Sequence, residues 1–270
     1  MLLPQLIPWF ELGTWSIAGL GIHPFGVLVV VGILSGSWIA EWRAERTGVS
    51  GQLIAEFLFW TILIGFVSAM VLNLLIRYPE RLLDPEMLFT TYPGLSSYGG
   101  FLGGTCAAAC FCKKKHVSVL LLGDIWSFAF PFAWLFGRAG CFVVHDHPGI
   151  VSDFFLAVDN YELEGVPRHD LGLYEVLWGV AVIPVFLWIG RKPRPRGCFV
   201  ALLAVLYAAF RFPLDFLRIP QEAGGDPRYL GLTLAQYASA VVLVLGILVA
   251  HDINRNRGTE SRERRMAPSR

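Results

Sequence analysis

The sequence is poor in charged residues for its length. Of its 270 residues, 16% are charged and 55% are hydrophobic, whereas a typical soluble domain carries about 25% charge. This composition excludes an ordinary soluble domain. The apolar runs are continuous and lack strict alternation, which favours membrane-spanning helices over a barrel. No repeat with a period of about 20–50 residues is visible, so we predict one polytopic membrane domain over residues 1–270.

Signals for disulfides, zinc and secretion are also lacking. The five cysteines are an odd number, and none is spaced as disulfide or zinc frameworks are. We therefore expect them to act as small packing residues. The N-terminal segment has no basic stretch before its apolar part, which argues against a cleaved signal peptide. Its Trp9, Phe10 and Trp15 are typical of a segment at the membrane surface.

Seven apolar runs reach the length of about 18 residues that a membrane-spanning helix needs. They lie near 22–40, 53–76, 95–112, 117–136, 171–190, 197–217 and 231–251. The sequence thus predicts an all-α integral membrane protein of about seven transmembrane helices.

Lysine and arginine predict the orientation. The 42–46 loop, the 113–115 run, the 191–196 loop and the basic tail 254–270 carry 15 of the 22 Lys and Arg residues. An odd number of helices puts all four segments on one side. The positive-inside rule makes that side cytoplasmic, so we expect the N-terminus outside and the C-terminus in the cytoplasm.

Four polar side chains interrupt the sixth apolar run: Tyr207, Arg211, Asp215 and Arg218. Spacings of four, four and three residues place them on one helical face. An arginine at the bilayer centre costs about 2.5–3.5 kcal/mol, so such residues are usually paired or functional. Since one carboxylate cannot neutralise two guanidinium groups, we expect net positive charge that attracts an anion such as a lipid phosphate.

A second arginine begins the long loop 137–170, which we predict to be external and to carry part of the active site. Arg138 lies in the segment GRAGCFVVHDHPG, at the outer end of the fourth predicted helix. Guanidinium groups bind phosphate bidentately, so arginines from different helices would clamp a phosphodiester. The alternative is that each arginine only snorkels to the membrane surface.

Four motifs together resemble one family. GRAG at the end of the fourth helix is followed by RHDLGLYE, YAAFRFPLDFLR and YLGLTLAQYAS. In this order they resemble the bacterial prolipoprotein diacylglyceryl transferases, and the chain looks like a divergent member. The resemblance implies an enzyme that moves the diacylglyceryl group of phosphatidylglycerol onto the lipobox cysteine thiol of a preprolipoprotein signal peptide. It further implies release of glycerol 1-phosphate, no metal or other cofactor, no nucleic acid, and a place in the bacterial inner (cytoplasmic) membrane with the active site toward the periplasm.

The resemblance assigns roles to individual positions. Arg138 and Arg211 match the essential arginines, with catalytic and substrate-binding roles. Further substrate-binding positions that it implies are Tyr207, Asp215, Arg218, Asp146, Gly149, Gly99, Gly100, His169, Tyr174 and Glu175. Three departures stand out, because Cys141, Tyr98 and Phe25 replace an asparagine, a histidine and a tyrosine of the family pattern. They leave open a paralogue that binds or modifies lipid without this transfer, and an anion transporter is a further alternative.

The reaction needs a proton acceptor for the thiol. With Tyr98 in place of the family histidine, we expect His145 or His147 to be that base. Tyr98 itself remains a candidate, although an interhelical hydrogen bond is the simpler role for it. His145, His147, His169 and Asp146 could instead form a metal site, but we predict none.

Overall fold

The computed structural model describes residues 7–10, 12–17, 20–77, 79, 95–159, 161–163 and 165–266. Seven α-helices make up most of this part. They are α1 (Pro24–Arg46), α2 (Gly51–Arg77), α3 (Ser97–Lys115), α4 (Val119–Val143), α5 (Leu171–Gly190), α6 (Cys198–Leu214) and α7 (Leu234–Met266). The strands are short: β1 (Ile7–Pro8), β2 (Trp15–Ile17), β3 (Leu20–Ile22), β4 (Pro148–Val151), β5 (Val158–Asp159), β6 (Arg168–Asp170), β7 (Arg228–Tyr229) and β8 (Leu232–Thr233).

Among the residues that the structure describes, six helical segments are long and apolar enough to cross a membrane. They are Pro24–Arg46, Gly51–Ile76, Val119–Val143, Leu171–Gly190, Cys198–Leu217 and Leu234–Arg255. The prediction of a helical, multi-pass membrane protein is therefore confirmed. Helix α3 forms where the sequence predicted the third of seven spans, but it is not among these six. The count of seven and the orientation of the termini stay predictions.

The chain divides into two compact units, and a single membrane domain over 1–270 stays a prediction. In the unit Ala40–Ile125, α2 and α3 pack closely through small residues. A Cβ atom built on Gly99 would lie 2.5 Å from the Ser68 carbonyl oxygen and 2.8 Å from Leu72 Cβ. Glycine at this position therefore lets the two backbones approach. Ser96 caps α3 by accepting a hydrogen bond from the Gly99 amide.

The other unit contains Met1–Ile39 and Trp126–Arg270. Its α1 approaches α4 at Gly32, where a Cβ atom would lie 2.7 Å from the Ala133 carbonyl oxygen. Phe128, Phe186 and Phe199 form a buried aromatic cluster of α4, α5 and α6. This packing fixes the relative positions of three helices that supply the site residues.

Strands from the N-terminal segment and from the loop after α4 form a small sheet, in the order β1–β5–β6–β4. The long loop is thus a folded structure, and its first residues, 137–143, are still helical, because α4 extends beyond the predicted end at 136. The N-terminal segment takes part in this structure. Strand β1 pairs with β5, and Trp9 stacks on His145, so these residues do more than lie at a membrane surface.

The sixth run does not continue as one α-helix through all four polar residues. Helix α6 ends at Leu214, Asp215–Leu217 form a 3₁₀ turn, and Arg218 is extended. Proline at position 213 has no N–H for the helical ladder, which favours an early end. The prediction of a single helical face is therefore correct for Tyr207 and Arg211 but wrong for Arg218.

Candidate active site

Arg138 lies in the last turns of α4 and is held from several sides. Its Nε atom lies 2.9 Å from Glu175 Oε2. Its Nη1 atom lies 3.2 Å from His147 Nε2 and 3.6 Å from Cys141 Sγ. The guanidinium carbon lies 4.4 Å from the centre of the Trp134 ring, a cation–π distance. These contacts fix the orientation of the guanidinium group, so independent snorkelling does not describe it.

Glu175 is the buried partner of Arg138, with only 1% of its side chain exposed. The same Oε2 atom accepts a hydrogen bond of 3.0 Å from Trp134 Nε1. Its place is fixed by the start of α5, where the Asp170 carboxylate accepts from the Leu173 amide at 3.0 Å. A charged pair buried this way is costly to break, because the remaining charge loses its partner.

Tyr207 and Arg211, one turn apart on α6, face the same group of residues. The Tyr207 ring lies edge-on to Trp134, with centroids 5.5 Å apart. Tyr207 interacts electrostatically with Glu175, Arg138 and Arg211. Arg211 in turn is attracted by Glu175 and repelled by Arg138. Two arginines from different helices are therefore brought into electrostatic range of one carboxylate and one phenol.

Arg211 is buried, and its Nη1 atom faces a carboxylate of the same segment. This atom lies 2.6 Å from Asp215 Oδ1, which makes an ion pair between residues one turn apart. Arginine carries five N–H donors, so this pair leaves donors of the buried guanidinium group for a ligand.

Asp215 is fully buried where α6 ends, and it organises the neighbouring segments. Its Oδ1 atom lies 3.3 Å from Arg218 Nε, and its Oδ2 atom accepts a short hydrogen bond from the Thr233 hydroxyl. Its main-chain oxygen accepts from Arg228 Nη2 at 3.3 Å. Arg218 also pairs with Asp226, at 3.3 Å between Nη1 and Oδ2.

The positive charge at the site is balanced more fully than the sequence predicted. Each of the three arginines has an acidic partner among the described residues: Glu175 for Arg138, Asp215 for Arg211, and Asp226 with Asp215 for Arg218. The expectation that Asp215 alone balances Arg211 and Arg218 is wrong, because Asp226 from a later segment also pairs with Arg218. An incoming anion therefore has to compete with these carboxylates or use donors that they leave unused.

His147 is oriented by its two neighbours. Its Nδ1 atom makes a short contact with Asp146 Oδ1, and its Nε2 atom faces Arg138 Nη1. Arginine only donates, so Nε2 is assigned as the acceptor and Nδ1–H as the donor to Asp146. Burial alone would raise the pKa of Asp146, but the hydrogen bond from His147 holds that pKa below its ordinary value. Asp146 therefore remains a carboxylate that orients the His147 ring, with Nε2 directed at Arg138.

His145 has different surroundings. It is 3% exposed, its Nδ1 atom lies 2.7 Å from Asp170 Oδ2, and Trp9 stacks on it at 4.3 Å. The Tyr161 hydroxyl donates to its carbonyl oxygen at 2.7 Å. Its Nε2 atom is buried and has no hydrogen-bond partner in the described structure. His145 thus lies in the interior of the folded loop, on the carboxylate that caps α5.

Gly149 joins the loop to the segment after α6. It forms a backbone bridge with Arg218, and an added Cβ atom would lie 2.7 Å from both His169 Cβ and the Leu217 carbonyl oxygen. The His169 ring makes a short contact with the Tyr174 hydroxyl. Burial lowers the pKa of His169, which favours its neutral form. Gly149 therefore brings the loop against Arg218.

Residues 13–251 match the family described as prolipoprotein diacylglyceryl transferase. The chain belongs to this family. It is 33% identical over 229 residues to the phosphatidylglycerol–prolipoprotein diacylglyceryl transferase of Chromohalobacter salexigens, covering 84% of this chain and 86% of the relative. The protein of that name from Methylobacillus flagellatus is 30% identical over 250 residues, with 89% and 95% covered. The counterpart from Staphylococcus haemolyticus is 28% identical, with 87% and 86% covered.

The remaining predicted site residues of this diacylglyceryl transferase family member lie in the unit Ala40–Ile125. Tyr98 is 40% exposed in the first turn of α3. Gly99 is buried against α2, and Gly100 lies beside it with its carbonyl oxygen 3.2 Å from a Cβ atom built on Gly65. Within this unit the two glycines have a packing role. Their substrate-binding role stays a prediction.

Sequence reasoning missed three residues of the site: Trp134, Thr233 and Asp226. Trp134 is one turn before Arg138 and shares Glu175 with it, so the four-residue spacing was a usable signal. Thr233 and Asp226 reach the Asp215–Arg218 pair from sequence positions with no periodic relation to it. No pattern in the sequence indicates these two contacts.

Proposed function

We propose that this protein transfers the diacylglyceryl group of phosphatidylglycerol to the lipobox cysteine thiol of preprolipoproteins. The thiol sulfur attacks the glyceryl carbon that carries the phosphate. A carbon–sulfur bond forms and the carbon–oxygen bond breaks, with the electron pair remaining on the phosphate oxygen. The products are a thioether and glycerol 1-phosphate, and the thiol proton passes to a base. Family membership and the names of the relatives support this reaction.

The observation that carries the proposal is that Arg138 of α4 and Arg211 of α6 come within electrostatic range of the same two side chains. Both interact with Glu175 and Tyr207, and Arg211 is buried beside Asp215. A phosphodiester supplies acceptors for the N–H donors that the carboxylates leave unused, and guanidinium groups bind it in a bidentate way. The same contacts stabilise the charge that develops on the leaving phosphate, since fixed donors act strongly away from bulk water.

The resident carboxylates keep the arginines oriented before lipid binds. Glu175 binds Arg138 through Nε, and Asp215 binds Arg211 on the side toward the helix end. Arginine carries five N–H donors, so each guanidinium group retains donors for a phosphate while its carboxylate stays in place. Holding the arginines in advance avoids the cost of ordering them during the reaction. Arg218, Asp215 and Gly149 support this arrangement where the loop meets α6.

His147 is the best-placed base, and Asp146 orients it. In the described structure Arg138 Nη1 donates to His147 Nε2. A phosphate oxygen that takes over Nη1 would free the Nε2 lone pair for the thiol proton. Lipid binding then activates the base only when the leaving group is in place. His145 is enclosed and paired with Asp170, so we assign it a structural role.

We place the reaction on the outer face of the bacterial inner membrane. The support is the arrangement of basic residues, which puts the 191–196 loop and the tail 254–270 in the cytoplasm by the positive-inside rule. Seven spans with the N-terminus outside then put the end of α4 and the loop after it at the periplasmic face. Phosphatidylglycerol would enter from the outer leaflet, and the preprolipoprotein signal peptide from the same side.

The test uses the full chain in nanodiscs that contain acyl-labelled phosphatidylglycerol and a lipobox peptide. We expect a labelled thioether peptide and one equivalent of glycerol 1-phosphate. Lipid binding without transfer would overturn the proposal in favour of a non-transferring paralogue. Anion flux through reconstituted vesicles without transfer would overturn it in favour of a transporter.

The base is tested with His147→Gln against His251→Gln, an exposed histidine of α7. We expect His147→Gln to reduce turnover by about 10²–10⁴-fold at neutral pH. This defect should shrink as the pH passes the thiol pKa of about 8.5, because the thiolate then forms without a base. A defect that does not change with pH would reject His147 as the proton acceptor.

A further inference from the structure

Three metal-ligating side chains meet beside Arg138. The ligand atoms of Cys141, Asp146 and His147 all lie within 4.8 Å of one another. Cys141 is buried in the last turn of α4, and the other two residues follow in the adjoining loop. The Asp146 and His147 side chains are 42% and 23% exposed, so an ion could reach the group from solvent. The group combines one sulfur, one carboxylate and one imidazole.

A cationic atom already lies between two of these ligands. Arg138 Nη1 is 3.6 Å from Cys141 Sγ and 3.2 Å from His147 Nε2. Both atoms are therefore directed at one positive charge. Zinc binds more closely, at about 2.3 Å from sulfur and about 2.0–2.1 Å from imidazole nitrogen. An ion at those distances would take over both contacts and exclude the guanidinium nitrogen.

The structure also decides which histidines could share an ion. The sequence left open a site made of His145, His147, His169 and Asp146. In the structure His145 pairs with Asp170, and His169 contacts Tyr174. Neither belongs to the group that is close enough to hold an ion within the described chain. Cys141, which was expected only to pack, takes their place.

We propose that Cys141, Asp146 and His147 form an inhibitory zinc site. Zinc is the divalent ion that suits mixed sulfur, nitrogen and oxygen ligands, and three protein ligands leave a fourth position for water. On binding, the Cys141 thiol releases its proton to solvent, and neutral His147 supplies a lone pair without losing a proton. No oxidant or reductant is involved. The ion is not a cofactor of the reaction.

The inhibitory consequence, unlike the binding itself, rests on the proposed function. Zinc on His147 occupies the lone pair that accepts the thiol proton. Its charge also repels Arg138 from the position in which it would hold a phosphate. Zinc binding therefore removes both the base, His147, and one of the two phosphate-binding arginines, Arg138. Inhibition should therefore be reversed by a chelator, because nothing is covalently changed.

Binding is measured first, without any substrate. The full chain in detergent is titrated with Co²⁺, which reports thiolate ligation by a charge-transfer absorption band. We expect one band of this kind, with affinity reduced by about 100-fold or more in Cys141→Asn and in Asp146→Asn, because even changes behind a ligand cost about 10–100-fold. Asp146→Asn changes a partly exposed side chain, so it keeps the test valid if Cys141→Asn fails to fold.

The other cysteines provide the controls. Cys110→Ser and Cys198→Ser should retain the wild-type band and affinity, since neither residue belongs to the group. Wild-type affinity in either Cys141→Asn or Asp146→Asn, or loss of the band with Cys110→Ser, would overturn the site. This result does not depend on whether the protein transfers lipid.

Inhibition is measured second, by adding Zn²⁺ to the transfer assay. Because the lipobox thiol itself binds zinc, the informative quantity is the zinc concentration for half inhibition in Cys141→Asn relative to wild type. We expect that concentration to rise by about tenfold or more and wild-type inhibition to be reversed by a chelator. Equal sensitivity of both proteins would contradict inhibition through this site. Failure of all transfer in the absence of zinc would count against the proposed function instead.

Discussion

Arg138 Nε and Glu175 Oε2 lie 2.9 Å apart and join two helices at a nearly buried position. The carboxylate also accepts from Trp134, so Glu175 is both a structural contact and a counterion. This pair explains how an arginine is kept charged and oriented at the end of a membrane-spanning helix. It also sets a condition on any anion that binds there, since the anion has to share Arg138 with Glu175.

Glu175→Gln tests the structural part of this relationship. Glutamine keeps an oxygen for Trp134 but removes the charge that balances Arg138. Breaking a buried ion pair on one side typically costs about 3–5 kcal/mol. We therefore expect a clearly lower thermal unfolding midpoint for the detergent-solubilised protein. Glu222→Gln, which changes an exposed carboxylate, should leave the midpoint unchanged. Equal midpoints for both variants would show that the pair contributes nothing to stability.

Arg211→Lys and Arg138→Lys test the need for a planar, bidentate group. Lysine keeps the positive charge but offers a single point of contact. We expect turnover to fall by about 10²–10³-fold in each variant, the usual effect of losing one fixed donor to a developing anion. Arg191→Lys in an exposed loop serves as the control in the same transfer assay. Near-normal turnover of either Arg211→Lys or Arg138→Lys would mean that a positive charge alone suffices for catalysis at that position.

Asp146 predicts a specific dependence of stability on pH. Its pKa in the folded protein lies below the ordinary value because of His147, although burial opposes this. The stabilisation is therefore fully present above the ordinary carboxyl pKa of about 3.9 and is lost as the pH falls through the lower folded pKa. We expect the wild-type unfolding midpoint to fall more steeply below about pH 4 than that of Asp146→Asn. Asp153→Asn, an exposed carboxylate of the same loop, should follow the wild type. If the unfolding midpoint of Asp146→Asn falls with pH as steeply as that of the wild type, the Asp146 carboxylate does not contribute this pH-dependent stability.

Gly149→Ala and Gly137→Ala form a matched pair within one sequence motif. A Cβ atom at Gly149 would collide with His169 and the Leu217 carbonyl, whereas none lies within 4 Å of one at Gly137. We expect Gly149→Ala to be destabilised by about 1–3 kcal/mol and to lose transfer activity as the loop moves from Arg218. Gly137→Ala should be neutral or stabilised by up to about 1 kcal/mol, since alanine favours a helix. Similar unfolding midpoints for the two variants would contradict the close approach at Gly149.

The helices were predictable because hydropathy and length determine them. The runs near 53–76 and 171–190 correspond closely to α2 and α5. The end of α6 was harder to predict. Four polar residues at helical spacing indicated a continuous helix, whereas Asp215–Leu217 form a 3₁₀ turn. The sequence identified Arg138 and Arg211 as candidate site residues. Helical spacing, however, relates only residues of the same helix. It therefore could not show that Glu175 of α5 neutralises Arg138 of α4.

The loop shows the same limit. In the sequence, His145 and His147 lie two residues apart and were equivalent candidates for the base. The structure separates them, because a left-handed backbone at His145 turns that ring into the aromatic interior while His147 faces Arg138. Such a backbone conformation is uncommon outside glycine, and no residue pattern indicated it. Local geometry thus separates two histidines that the sequence treated alike.

The central claim is that Arg138 and Arg211 bind one lipid phosphate together. The most direct test is an experimental structure of the protein in nanodiscs with phosphatidylglycerol bound. We expect the headgroup phosphate between α4 and α6, with oxygens at about 2.7–2.9 Å from nitrogens of both guanidinium groups. A phosphate that contacts only one of the two arginines, or a lipid headgroup bound elsewhere with both arginines still held only by Glu175 and Asp215, would contradict the account.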